Sequence, residues 1–318
     1  MYDVACVGIL CADVLVKPVD QLPAKGKLGL IEQLQLRIGG CASNAAIDLA
    51  KIGLTSVMIG KIGDDGFGKF LQETLRQAGV ATEGLSVDPS VQTSASVVAI
   101  GSDGERSILH CLGSNARFGF EDVNLELVKQ ANILFIAGTF LMPRFDGAGA
   151  EKLLQCAKAA GQVCCLDTAW DSTGQWLRKL EKTLPYLDWF LPSYEEAKAL
   201  SGQTDPAASA EVFRAKGAQN IVIKLGKDGC YVKPAHEPGF YVPTYQEVAV
   251  IDTSGAGDAF CAGFLTGLVK GWDVRECTRF ANAVGTHCVM AIGTTTGVKS
   301  LAETLAFMEK SAHRPDLG

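Results

Sequence analysis

The stretch Ile251-Asp252-Thr253-Ser254-Gly255-Ala256-Gly257-Asp258-Ala259-Phe260 decides how the rest of the chain is interpreted. From Gly255 to Lys270 the only charged residues are Asp258 and Lys270, and such an apolar run predicts a helix buried in a core. The residues at the start of this run have almost no side chain, so an anion can reach the free N–H groups of the first turn. An anion cradle with a carboxylate beside it suits phosphoryl transfer to a hydroxyl.

A tight turn, with Asp258 serving only as a capping acid, explains the same residues without any function. The longer pattern separates the two interpretations. Asp252 to Asp258, followed by Phe260 and Ala262-Gly263-Phe264, resembles the C-terminal signature of ribokinase-like (PfkB) sugar kinases. The resemblance implies that Asp258 is the catalytic base, and that the anion hole is formed by Gly255, Ala256 and Gly257.

Length and composition limit the class of protein. The 318 residues can bury a large α/β core, and a net charge of −6 gives no sign of a nucleic-acid surface. No apolar run is long and clean enough to cross a bilayer, and the N-terminus lacks the pattern of a signal peptide. The eleven cysteines are scattered, without a CxxC pair, which favours reduced thiols in a cytoplasmic protein.

Two segments outside the main pattern predict a small separate sheet. Leu34, Leu36 and Ile38 alternate with polar residues, and the strands at 94–100 and 107–111 flank the turn Ser102-Asp103-Gly104-Glu105. In ribokinase-like proteins such a sheet forms a lid over the sugar and often a dimer contact. We therefore expect a lid at 13–37 and 92–113, a core at 1–12, 38–91 and 114–318, and a homodimer through the lid.

The N-terminal third contains the predicted acceptor site. Asp13 follows a buried strand at 4–10, where α/β proteins place ligands, and matches the family acid that binds sugar hydroxyls. Gly39 and Gly40 let the backbone pass close to a ligand, and Asn44 offers both donors and an acceptor. The family resemblance assigns these residues to the sugar, together with Arg106 of a Gly-Glu-Arg segment. A capping role for Asp13, a structural turn for the glycines and a solvated surface position for Arg106 are the alternatives.

From residue 122 onward, predicted helices and strands alternate. The helices are predicted at 122–130, 146–160, 174–183 and 273–290, and the strands at 133–137, 163–166, 189–191 and 220–225. This order predicts βαβ units with a mainly parallel sheet. Together with the resemblance, it predicts a ribokinase-like three-layer α/β/α core.

The resemblance places the nucleotide beside the C-terminal half of the sheet. Its predicted contacts are Lys224, Gly226, Gly229 and Asn282. Glu196 matches a glutamate that orients Mg²⁺ through water, although Ser193 replaces the family's asparagine. Ser193 and Glu196 also fit a capping box, and the two roles are compatible.

A monovalent cation is the last predicted ligand. Many family members bind K⁺ beside the anion cradle through the first and third residues of the signature, which are Asp252 and Ser254 here. Backbone oxygens are expected from the loop around Gly293. A capping role for Asp252, with no ion, is the alternative.

The predicted activity is transfer of the γ-phosphoryl group of ATP, with Mg²⁺, to a hydroxyl of a sugar-like small molecule. The segment 138–141 has no acid where ribokinases carry a glutamate, which argues against ribose. A nucleoside kinase with an apolar sub-pocket at Phe140, and a non-catalytic sugar or nucleotide sensor, are the alternatives. The intact Gly255–Asp258 segment argues against the sensor.

Overall fold

Two separate sheets organise the chain. The computed structural model describes residues 1–103, 105–246 and 248–313. In chain order the strands are β1 Tyr2–Gly8, β2 Cys11–Lys17, β3 Gln33–Gly39, β4 Ser56–Gly63, β5 Ala81–Asp88, β6 Ala95–Ile100, β7 Arg106–Cys111, β8 Ala131–Thr139, β9 Val163–Thr168, β10 Trp189–Phe190, β11 Asn220–Lys224, β12 Cys230–Lys233 and β13 Phe240–Val242.

The large sheet has the strand order β13-β12-β11-β10-β9-β8-β1-β4-β5. All neighbours from β11 to β5 are parallel, and β12 and β13 are added antiparallel at one edge. The predicted mainly parallel sheet is therefore confirmed. In such a sheet the carboxyl ends of the strands lie along one edge, where ligands bind.

Helices cover both faces of the large sheet. They are α1 Cys41–Ile52, α2 Gly66–Gln77, α3 Leu125–Lys129, α4 Ala148–Ala159, α5 Leu177–Leu180, α6 Tyr194–Ser201, α7 Pro206–Ala215, α8 Ala256–Lys270, α9 Val274–Val289 and α10 Leu301–Lys310. Along β1, Val4 and Cys6 pack with α1, α8 and α9, whereas Ala5 and Val7 pack with α4, α6 and α7. This alternation gives the predicted three layers.

The small sheet consists of β3, β2, β6 and β7 in that order. Its inner face carries Asp13, Ser96 and His110 side by side, because Asp13 pairs with Ser96 and Ser96 with His110. Strands β6 and β7 form the predicted antiparallel pair, but the predicted turn between them includes Gly104, which lies outside the described residues.

Two predicted helices are shorter than expected. The helix predicted at 174–183 contains only α5, because Trp176 has φ 40° and donates its N–H to the side chain of Asp171. The helix predicted at 122–130 contains only α3, because Asn124 caps it by accepting from Glu126 and Leu127. Helices α4, α8 and α9 agree with prediction.

All eleven cysteines lie within the described residues and are free thiols, mostly buried. Within the described part of the chain, none of the helices has the length and apolar character needed to cross a membrane.

Candidate active site

The anion cradle is the turn that opens α8. Gly255 is the N-cap residue with φ 76°, and a Cβ there would meet the carbonyl oxygen of Thr294 at 2.2 Å. A Cβ on Gly257 would lie 3.4 Å from Nζ of Lys224. Gly255 therefore allows the turn to pack closely against Thr294, and Gly257 leaves room for the ammonium of Lys224. The first N–H groups of a helix have no intrahelical acceptor, so this turn is suited to an anion.

Asp258 lies in the first turn of α8 and is held by the side chain of Asn44. Its Oδ2 accepts a 2.8 Å hydrogen bond from Nδ2 of Asn44. Burial raises the pKa of Asp258, although the Asn44 hydrogen bond and the charge of Lys224 partly oppose this effect. A carboxylate with a raised pKa is suited to accept a proton from an attacking hydroxyl.

Asn44 connects the base to two other segments. Its Oδ1 accepts a hydrogen bond of 3.0 Å from Oγ1 of Thr294, and that hydroxyl lies 3.1 Å from the carbonyl oxygen of Ile38. The side chain is buried, because α1 places it under the start of α8. Both ends of the amide therefore engage protein atoms. The predicted contact with a sugar stays a prediction beside this observed contact with Asp258.

A cavity of about 600 Å³ extends from Asp258 along the carboxyl edge of the large sheet. Its volume is in the range of small-molecule sites. The cavity brings together most residues predicted for catalysis, nucleotide and magnesium: Ala256, Gly257, Asp258, Glu196, Lys224, Gly226, Gly229 and Asn282.

Sequence reasoning missed an acidic residue of this cavity, Asp167. It is the last but one residue of β9 and forms a 2.8 Å ion pair with Lys224, whose side chain is nearly buried. Burial alone would lower the pKa of Lys224, but the Asp167 carboxylate and other acidic groups nearby raise it, so the ammonium stays charged. Asp167 could have been found by the rule that identified Asp13, since it is an acid at the carboxyl end of an inner strand.

Glu196 forms the predicted capping box, and its side chain also lines the cavity. Its Oε2 accepts from the backbone N–H of Ser193 at 2.9 Å, which completes a capping box at the start of α6. The same oxygen accepts from Oγ1 of Thr168, and the side chain lines the cavity. Carboxylates are a ligand type that Mg²⁺ prefers, and one that faces a cavity can hold a hydrated ion, so Glu196 fits a hydrated Mg²⁺.

The loop after β11 is shaped by its own backbone. Gly226 and Gly229 have φ 60° and 89°, and a Cβ on Gly229 would meet the carbonyl oxygen of Val242 at 2.1 Å. Nδ2 of Asn282 donates to the carbonyl oxygens of Val242 and Pro243 at 3.1 and 3.2 Å. These contacts fix the far end of the cavity, where the sequence predicts the nucleotide.

Asp13, Gly39 and Gly40, which are predicted for the acceptor, lie where the small sheet meets α1. A Cβ on Gly39 would be 2.0 Å from Oδ2 of Asp13. Gly40 has φ 98°, and a Cβ there would be 2.6 Å from the carbonyl oxygen of Ile9. Both glycines are therefore required by close approach. Burial raises the pKa of Asp13, and hydrogen bonds from Cys11 and Ser96 act in the opposite direction without cancelling this effect.

The sequence of residues 1–301 matches the model of the pfkB family of carbohydrate kinases. The chain belongs to this family. It is accordingly a carbohydrate kinase, a phosphotransferase, and its fold is the ribokinase-like fold that the sequence predicted.

Two curated relatives and one solved structure illustrate the likeness. The 5-dehydro-2-deoxygluconokinase of Shouchella clausii is 28% identical over 97% of this chain and 96% of its own length. The fructokinase of Vibrio alginolyticus is 28% identical over 85% of this chain and 91% of its own. The structure of Arabidopsis thaliana ribokinase complexed with ribose and ATP has a TM-score of 0.86 and 25% identity, covering 97% and 99% of the two chains.

In this kinase the predicted K⁺ ligands are engaged by protein donors. Oδ1 of Asp252 accepts from the N–H of Ser254 at 2.9 Å and from Nη1 of Arg106 at 3.3 Å, and Oδ2 accepts from the N–H of Gly293 at 2.9 Å. The Ser254 hydroxyl also accepts from Arg106. A K⁺ ion at these side-chain oxygens would lie against a permanent positive charge, so the residues do not fit K⁺ in this arrangement.

Proposed function

We propose that this kinase transfers the γ-phosphoryl group of ATP to a hydroxyl of a sugar or related small molecule, with Asp258 as the general base. The observation that carries the proposal is the position of Asp258. It lies at one end of the cavity, beside the anion cradle, and is held by Asn44 at 2.8 Å. A base, an anion hole and a cavity for the phosphate donor are the parts that phosphoryl transfer requires.

The cradle and Lys224 would stabilise the charge of the transferring group. The N–H groups from Gly255 to Asp258 are at the positive end of the α8 dipole. Lys224 is on the same side as Gly257, where its ammonium can reach the phosphates. Since the ion pair with Asp167 fixes the position of Lys224, the cation is preorganised before ATP binds.

Mg²⁺ is the expected metal, and Glu196 would hold it through water. When bound, the ion would neutralise negative charge on the phosphates. Glu196 itself is oriented by the N–H of Ser193 and the hydroxyl of Thr168. Serine in place of the family's asparagine keeps the cap, and this supports Glu196 as the metal-side residue.

The acceptor would bind between Asp13, Gly39 and Gly40 on one side and Asp258 on the other. Names of relatives point to sugars and sugar acids, including 5-dehydro-2-deoxygluconate and fructose. For the nucleoside alternative, Phe140 offers little support. It is 5% exposed and packs against Trp176 with ring centroids 5.6 Å apart, so it presents no open apolar surface.

The small sheet would act as a lid and as a dimer contact. Its outer face carries a row of apolar side chains across all four strands, which pair as Leu36, Val14, Val97 and Leu109. Leu109 is 69% exposed, and exposed apolar patches of this kind favour association. Light scattering should therefore give about twice the chain mass of 33.6 kDa. The free thiols support a cytoplasmic location.

The experiment that tests the proposal measures ADP release with a panel of sugars, sugar acids, sugar phosphates and nucleosides. We expect ADP only when an acceptor is present, and a product heavier by one phosphoryl group in mass spectrometry. ATP binding by calorimetry without ADP release from any acceptor would instead favour the sensor.

A further inference from the structure

Arg106 links the small sheet to the loop that precedes the anion cradle. It is the first residue of β7, opposite Ile100. From there its guanidinium reaches Oδ1 of Asp252 at 3.3 Å, Oγ1 of Thr253 at 3.4 Å and the hydroxyl of Ser254. The sequence assigned Arg106 to the acceptor. The observed guanidinium contacts lie instead on three successive residues of the loop before α8.

The loop that Arg106 contacts determines where the cradle lies. Asp252 accepts from the N–H groups of Ser254 and Gly293, so one carboxylate joins the loop before α8 to the loop after α9. Burial acts to raise the pKa of Asp252, but these hydrogen bonds and the Arg106 charge outweigh it, and the pKa lies below its ordinary value. Asp252 is therefore an anion that needs a counter-charge, and the guanidinium meets it.

We propose that Arg106 is a tethered cation that takes the place of a bound monovalent ion in ordering the anion cradle. This inference rests on the proposed kinase function. The guanidinium has a fixed charge and a planar set of donors, which can engage a carboxylate and two hydroxyls at once. A K⁺ ion would use the same oxygens, so the arginine makes that ion unnecessary.

The position of Arg106 adds a consequence for the reaction cycle. Because the arginine belongs to the small sheet and Asp252 to the core, the contact exists only when the sheet lies over the core. The cradle then receives its counter-charge at the moment the lid excludes water. Arg106 touches neither the transferred group nor the base, and it is a positioning residue.

The test compares wild type, Arg106→Ala and Arg106→Lys in potassium, sodium and tetramethylammonium chloride at equal ionic strength. Arg37→Ala is the matched control, since Arg37 lies on β3 of the same sheet and contacts Gln35. We expect the wild type and the control to vary by no more than about twofold among the cations. Arg106→Ala should lose about ten- to a hundredfold in kcat and regain activity with K⁺ or millimolar guanidinium. Arg106→Lys should keep an intermediate rate that does not depend on the cation.

A second readout does not depend on turnover. In the presence of a non-hydrolysable ATP analogue, Arg106→Ala should gain a K⁺-dependent rise in melting temperature that the wild type lacks. A wild type activated severalfold by K⁺ over Na⁺, or an Arg106→Ala variant with a normal, cation-independent rate, would overturn the proposal. Failure of the kinase function itself would appear separately, as absence of transfer in the wild type, and the melting data would still decide the role of Arg106.

Discussion

The side-chain amide of Asn44 donates a 2.8 Å hydrogen bond to Oδ2 of Asp258, although the two residues are 214 positions apart in the chain. The amide cannot rotate freely, because its oxygen accepts from Thr294. Asn44 therefore fixes the direction of the Asp258 carboxylate and stabilises its charged form. It connects the N-terminal glycine segment with the C-terminal cradle at the proposed point of reaction.

The first prediction concerns the pH dependence of Asn44→Ala. The proposed base works in its deprotonated form, and the amide hydrogen bond lowers the pKa of Asp258 against the effect of burial. Without the amide the pKa rises, so the acidic limb of kcat against pH should move to higher pH. Thr294→Val removes the hydroxyl that holds the amide oxygen of Asn44 but leaves the Asn44 amide as a donor to Asp258. It should therefore shift the acidic limb less. If the acidic limb of kcat stayed unchanged and only the KM for the acceptor substrate rose, Asn44 would bind the acceptor and would not tune Asp258.

The second prediction concerns Gly255→Ala, with Gly271→Ala as its control. Both glycines have φ between 70° and 80° at the ends of α8, but only Gly255 faces a backbone atom, the Thr294 carbonyl oxygen. The control should lose about 1–2 kcal/mol of unfolding free energy from left-handed strain and keep its turnover. Gly255→Ala should lose most of its turnover, because the loop must shift. Equal turnover in both variants would argue against a cradle at this turn.

The third prediction separates the structural and catalytic parts of the Lys224–Asp167 pair. Lys224→Met leaves a buried carboxylate without its partner and should cost about 3–5 kcal/mol of unfolding free energy in urea titrations. Adding Asp167→Asn should restore much of this stability. Turnover should stay low in the double variant, because the cation beside the cradle is absent. Recovery of turnover together with stability would contradict a phosphate role for Lys224.

The features that the sequence predicted correctly depend on local rules. The buried helix after Gly255 follows from an uninterrupted apolar run, and the parallel sheet from alternating helix and strand patterns. The contacts that sequence reasoning missed join distant segments. Lys224 and Asp167 are 57 residues apart, and Arg106 and Asp252 are 146 apart. Residue patterns do not specify such pairs, and the shortened α5 likewise depends on the Asp171 side chain.

The most direct test of the central claim is the turnover of Asp258→Asn with the best acceptor from the panel. Asp64→Asn is the control, since its carboxylate is well exposed beside Lys69. The amide cannot accept the proton, so kcat should fall by about 10²-fold or more while ATP affinity and thermal stability change little. The control should match the wild type. A near wild-type kcat in purified Asp258→Asn would contradict the account, because the phosphoryl transfer would then proceed without the proposed base.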